Sequence, residues 1–114
     1  MQRFEIRQQQ LREGAFEIEV VGELDLAVAD QLTAALEQAE AGNVLISLRG
    51  CEFIDSTGIA AIIDAWKRAQ EKQTRLVVAE PTEQVVRLLE IVGLADRGLV
   101  FTEREEALKA LGAD

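Results

Sequence analysis

The chain has 114 residues, enough for one compact domain with its own core and too few for two ordinary ones. Its content of 48% hydrophobic and 29% charged residues with a single proline excludes disorder as the main state, and its formal charge of -9 is the wrong sign for a generic binder of the nucleic-acid backbone. With no histidine and one cysteine, Cys51, a Ser-His-Asp triad, a Cys-His pair, a histidine metal centre and an intramolecular disulfide are all excluded by counting.

Strict alternation marks the first two elements: Phe4 and Ile6, then Phe16, Ile18 and Val20 with Glu17 and Glu19 between them. That is the period of strands with one wet face, and the polar segment from Gln8 to Gly14 between them reads as the connection of a β-hairpin. After Gly22-Glu23-Leu24-Asp25 comes a helical stripe at Val28, Leu32, Ala35, Leu36 and Ala39, closed by Gly42-Asn43. Glu37 and Glu40 belong to its solvated face. The nearly all-apolar run Val44 to Leu48 suits a strand covered on both faces.

A second helix is predicted from about Thr57 to Gln70, with Ile59, Ile62, Ile63 and Trp66 buried and Asp64, Lys67 and Arg68 wet. Leu76-Val77-Val78-Ala79 gives another buried strand. Thr82, after Pro81, is placed to cap a third helix through Val85, Val86, Leu89 and Val92, which Gly93 ends. A short strand at Leu99-Val100-Phe101 precedes a last helix, for which Thr102 and Glu105 have capping-box spacing and which carries Ala107, Leu108 and Leu111. Glu103, Glu105 and Glu106 suit its dipole. The order β-β-α-β-α-β-α-β-α predicts one α/β domain over residues 1–114: a mixed sheet with a leading hairpin, then parallel strands, and about four helices.

Most of the sequence is core and solvated face. The exception is Phe53-Ile54-Asp55-Ser56-Thr57-Gly58-Ile59, set between a strand and a helix. Asp55 and Ser56 stand at the helix start, where side-chain oxygens satisfy free N–H groups and negative charge meets the positive end of the dipole; helix capping is by itself a sufficient explanation of both. Two details point instead to an acceptor site. Gly58, inside the first turn, costs about 1 kcal/mol relative to Ala and would keep the surface beside Ser56 low. A helix N-terminus also welcomes phosphate. Nothing nearby would make Ser56 a nucleophile on its own.

Gly22-Glu23-Leu24-Asp25 before one helix and Asp55-Ser56-Thr57-Gly58-Ile59 opening the next resemble a STAS domain of the bacterial anti-anti-sigma factor type, over essentially the whole chain. The resemblance implies an anti-sigma factor antagonist that is not an enzyme. Unphosphorylated, it binds an anti-sigma factor that is itself a serine kinase and so frees a sigma factor; phosphorylated at Ser56, it lets go. Carried over, Asp55 is the acidic neighbour, Asp25 the loop acid beside the same surface, and Thr57 and Gly58 complete the motif. Ala60, Ile63 and Asp64, at helical spacing from Ser56, extend the partner footprint. A phosphatase that resets Ser56 and modification of Thr57 both stay open. The same fold also serves as an accessory subunit of lipid-transport ABC systems and within larger stress-signalling assemblies.

The remaining features carry less. Asp25 and Asp55 form a carboxylate pair of the kind that holds Mg²⁺ in phospho-accepting domains, but such sites add a lysine near the last strand, and Leu99-Val100-Phe101-Thr102 offers none. Neither a catalytic residue, a metal nor a cofactor is therefore expected. Cys51 reads as a small buried hydrophobe and Trp66 as core. No run approaches the roughly 18 uninterrupted apolar residues of a membrane span, and Met1-Gln2-Arg3-Phe4-Glu5 lacks the basic then apolar pattern of a signal peptide, so a cytoplasmic protein without membrane insertion is expected.

Overall fold

The computed structural model describes residues 4–12, 14–39 and 42–112; Glu40, read as solvated, lies outside them. The hairpin is β1 (Phe4–Arg12) and β2 (Ala15–Leu24), followed by α1 (Leu26–Ala39), β3 (Asn43–Ile54), α2 (Ser56–Lys72), β4 (Leu76–Ala79), α3 (Glu83–Ile91), a short 3-10 turn at Ala95–Arg97, β5 (Val100–Phe101) and α4 (Arg104–Leu111). The five strands lie in sequence order. β1 runs antiparallel to β2, and the other pairings are parallel, as a hairpin followed by strand-helix-strand crossovers requires.

Alternation along the strands divides the core. Ile18, Val20, Ile46, Leu48 and Val78 face the buried sides of α1, α2 and α3, and Ala15, Leu45, Val77 and Ala79 face Ala107 and Leu111 of α4. Both faces of β3 and β4 are thus covered, which is why their sequences are continuously apolar rather than alternating. Cys51 is fully buried among the first set; its thiol donates to Phe53 O at 3.3 Å, and burial pushes its pKa up, as befits an inert packing residue.

Six local readings change. β1 extends through the polar Gln8-Gln9-Gln10 to Arg12, because those exposed residues are held by their backbone pairing with β2 and need no apolar side chain. β3 continues past Leu48 to Ile54, held to β2 through two register irregularities as far as the Leu24–Ile54 pair. Glu17 is 7% exposed rather than wet: Arg104, the first residue of α4, lies over it with a two-pronged ion pair, one prong 2.9 Å long. With Arg104 drawn there the last helix begins after Glu103, and neither Thr102 nor Glu103 makes a side-chain cap bond, so the capping box does not form. Thr82 does stand at the cap of α3, but its hydroxyl goes to Cys51 O at 3.3 Å and not to the helix. Trp66 packs on the core with one side only; Arg97 lies over its ring, 5.7 Å from the centroid.

Candidate functional site

Parallel strands deliver their following loops to one edge of the sheet, where α/β folds build sites. Here the β2–α1 and β3–α2 turns are stitched together, with Asp55 N–H donating to Leu24 O at 3.1 Å. Each turn is one aspartate long. Asp25 accepts from Ala27 N–H at 3.1 Å on its carboxylate and from Val28 and Ala29 N–H on its carbonyl, so it caps α1. Asp55, in extended conformation, caps α2.

The Asp55 cap engages the Thr57 hydroxyl and leaves that of Ser56 alone. Its Oδ1 accepts Thr57 N–H at 2.9 Å, Gly58 N–H at 3.1 Å and the Thr57 hydroxyl at 2.5 Å. The Thr57 hydroxyl, foremost, holds the Asp55 carboxyl below its ordinary range; desolvation, next in size, opposes it, and the Gly58, Thr57 and Leu26 N–H groups add to the lowering. Thr57 is half-buried and its proton is committed. Ser56, the first residue of α2, is exposed, and its hydroxyl makes no hydrogen bond among the described residues. Ala60 and Asp64 are exposed and Ile63 is half-buried. At spacings of four, seven and eight from Ser56 they form one ridge running up α2.

Gly58 is where the expected physical reason fails. It is buried and faces the sheet: a Cβ there would stand 2.7 Å from Leu24 Cγ and 2.9 Å from Ile54 Cγ1. The glycine lets α2 lie close on β2 and β3, and does not provide clearance above Ser56. Leu26, 72% exposed, and Phe53, 45% exposed, flank the turn and were not among the expected site residues. The signal for Leu26 was its place off the buried stripe of α1, on a side where a helix normally carries polar residues.

Chemically the turn presents an unengaged primary hydroxyl beside acidic groups, with Asp25 and Asp55 half-buried and Glu52 exposed. Asp55 already occupies the first-turn N–H groups that would cradle an anion. A phosphate on Ser56 would therefore project into solvent next to a carboxylate instead of sinking into the helix start. A small apolar slot lined in part by Leu36, Val44, Ala65 and Leu76 lies at the opposite, amino-terminal end of β3 and β4, holds about 20 Å³ and is remote from this chemistry. No helix among the described residues is long and apolar enough to cross a membrane.

The family model for the STAS domain matches residues 7–107. The anti-sigma-B factor antagonist of Listeria monocytogenes is 37% identical over 83 residues, 70% of this chain and 73% of that protein. The anti-sigma F factor antagonist of Paenibacillus polymyxa is 26% identical over 102 residues, 86% of this chain and 87% of that one. Among solved structures, the anti-sigma factor antagonist SpoIIAA in its unphosphorylated form superposes with a TM-score of 0.81 at 18% identity, covering 96% of this chain and 98% of that one. A sulfate transporter family protein from Wolinella succinogenes superposes with a TM-score of 0.76 at 21% identity, covering 92% and 90%. At these identities the superpositions establish the fold alone.

Proposed function

The chain belongs to the STAS domain family, and from that membership and the geometry at Ser56 we propose that it is an anti-sigma factor antagonist, a binding protein and not an enzyme, working in the cytoplasm as a partner switch. In its unphosphorylated form it binds an anti-sigma factor that is a serine kinase and so releases a sigma factor. Phosphorylation of Ser56 by that kinase ends the complex. The observation that carries this reading is the Ser56 hydroxyl, exposed at the start of α2 and unengaged while its neighbour Thr57 is bonded to Asp55. The names of the curated relatives, antagonists of anti-sigma-B and anti-sigma F factors, support it.

Phosphate adds about -1.5 to -2 charge at a place where Asp25, Glu52 and Asp55 already make the surface negative. Desolvating such a dianion in a closed contact costs several kcal/mol, which corresponds to a hundredfold or greater loss of affinity. The fold itself is untouched, because Ser56 contributes no core contact. Desolvation of the phosphate and steric exclusion at the interface, not unfolding, break the complex.

The test is site-resolved mass spectrometry of the protein isolated from its own cells, with identification of what co-purifies. Phosphate on Ser56 together with a soluble kinase is the expected result. An unmodified Ser56 in every growth condition, with a transporter ATPase attached, would overturn the switch and leave Ser56 as part of a helix start in an accessory subunit.

A further inference from the structure

Leu26 and Ser56 are positional twins. Leu24 of β2 pairs with Ile54 of β3, each is followed by a capping aspartate, and then by the first residue of a helix, Leu26 for α1 and Ser56 for α2. Their side chains therefore emerge on neighbouring turns of the same sheet edge. Phe53, three residues before Ser56, stands beside Glu23 in the β2–β3 register and is the only exposed aromatic among the described residues. With Val85 and Leu88 of α3 it walls a groove of about 270 Å³.

A single exposed leucine is ordinary on a protein surface. Here, two of the four large apolar side chains exposed among the described residues, Leu26 and Phe53, bracket the one unengaged hydroxyl of the site. The other two, Ile91 and Val92, lie together at the far end of α3. Around the bracket Asp25, Glu52 and Asp55 are acidic, and Arg87 of α3 adds a cation at the far wall of the Phe53 groove.

We propose that Leu26 and Phe53 are the apolar anchors of the partner-binding surface, one on each side of Ser56, and that the partner offers apolar sockets for both on a surface whose lysines or arginines face Asp25, Glu52 and Asp55. This rests on the partner-switch reading of Ser56. Binding energy concentrates in a few well-packed side chains at the centre of an interface, ringed by groups that exclude water, while charge complementarity sets encounter rate and specificity. A hydroxyl lying between two anchors is enclosed when both are seated. A phosphate there has to be desolvated or the anchors unseated, so one modification dismantles the centre of the contact.

The experiment titrates the unphosphorylated protein into its purified kinase partner, with Ser56 phosphorylation read in the same samples, for wild type, Leu26→Ser, Phe53→Ser and Ile91→Ser. Leu26→Ser and Phe53→Ser are each expected to weaken binding at least about tenfold with Leu26→Ser melting as wild type; Ile91→Ser, equally apolar and exposed, is expected to change nothing. Raised salt is expected to weaken wild-type binding. If Phe53→Ser melts lower, Phe53→Leu, a smaller side chain that stays apolar, replaces it and is expected to bind more weakly than wild type while melting with it. Leu26→Ser binding within twofold of a wild type that does bind and is phosphorylated overturns the anchor assignment alone. A wild type that neither binds nor is phosphorylated overturns the switch reading and the anchors with it.

Discussion

Replacing Gly58 by alanine tests the packing that positions Ser56, because two effects of opposite sign act at that site. In an ordinary helix interior the change gains about 1 kcal/mol from helix propensity. At Gly58 the new methyl would stand 2.7 Å from Leu24 Cγ, 2.9 Å from Ile54 Cγ1 and 3.0 Å from Leu24 Cδ2, where carbon atoms settle at about 3.5–4.0 Å. Neither Cγ is the free end of a flexible chain, and Leu24 and Ile54 are both buried to within 1%. The first turn of α2 must then lift by roughly 1 Å, at an overpacking cost of about 1–3 kcal/mol. The net expectation is a loss of up to about 2 kcal/mol in urea unfolding, and slower phosphorylation because the Asp55–Ser56 turn moves with the helix. Leu24→Ala, itself costly by about 2–5 kcal/mol, makes room for the methyl, so the double variant is expected to be more stable than the two single changes add up to. Gly58→Ala more stable than wild type by the full propensity gain of about 1 kcal/mol would refute the close-packing argument.

Other expectations follow from the same contacts. Thr57→Val removes the hydroxyl that foremost lowers the Asp55 pKa, so that pKa, followed by NMR, is expected to rise toward the ordinary range, whereas Thr57→Ser keeps it low. A depressed carboxylate stabilises the fold above its unfolded pKa of about 4 and loses that contribution as pH falls through the folded value; wild type is therefore expected to lose more stability than Thr57→Val on acidification below about pH 4. Arg104→Met strands the buried Glu17 carboxylate and is expected to cost about 2–3 kcal/mol, below the range for a fully buried pair because Arg104 is about one-third exposed. Glu17→Leu combined with Arg104→Leu is expected to recover most of that in thermal melts. Ser56→Asp is expected to change stability by no more than about 0.5 kcal/mol and to abolish partner binding; an unfolded Ser56→Asp would contradict a local switch.

How much could be read from the sequence depended on whether the information was local. The alternation at Phe16, Ile18 and Val20, the stripe at Leu32, Leu36 and Ala39, and the run Val44 to Leu48 each report their own burial, and the element order and mixed sheet came from them. Asp55 was legible as a cap because capping is settled within three residues. Features set by distant partners were not legible. Glu17 looks wet until Arg104, 87 residues later, covers it. The same ion pair, by drawing Arg104 onto the sheet, overrides the Thr102–Glu105 capping spacing. The second half of β3 hides because Arg49-Gly50-Cys51-Glu52 breaks alternation where the register with β2 shifts. Gly58 stands out in the sequence as a glycine inside a helix, but the surface it touches is Leu24 and Ile54, which only the tertiary packing reveals.

The central claim is that one phosphate on Ser56 separates this protein from its partner without altering its fold. Isothermal titration of the unphosphorylated and the Ser56-phosphorylated protein into the same kinase partner, with amide NMR spectra of both forms, tests it most directly. The expected result is spectra that differ only around residues 25–26 and 53–60 and an affinity at least about a hundredfold weaker for the phosphorylated form. Equal affinities, or a loss of binding accompanied by spectral change throughout α3, α4 and the sheet, would contradict it.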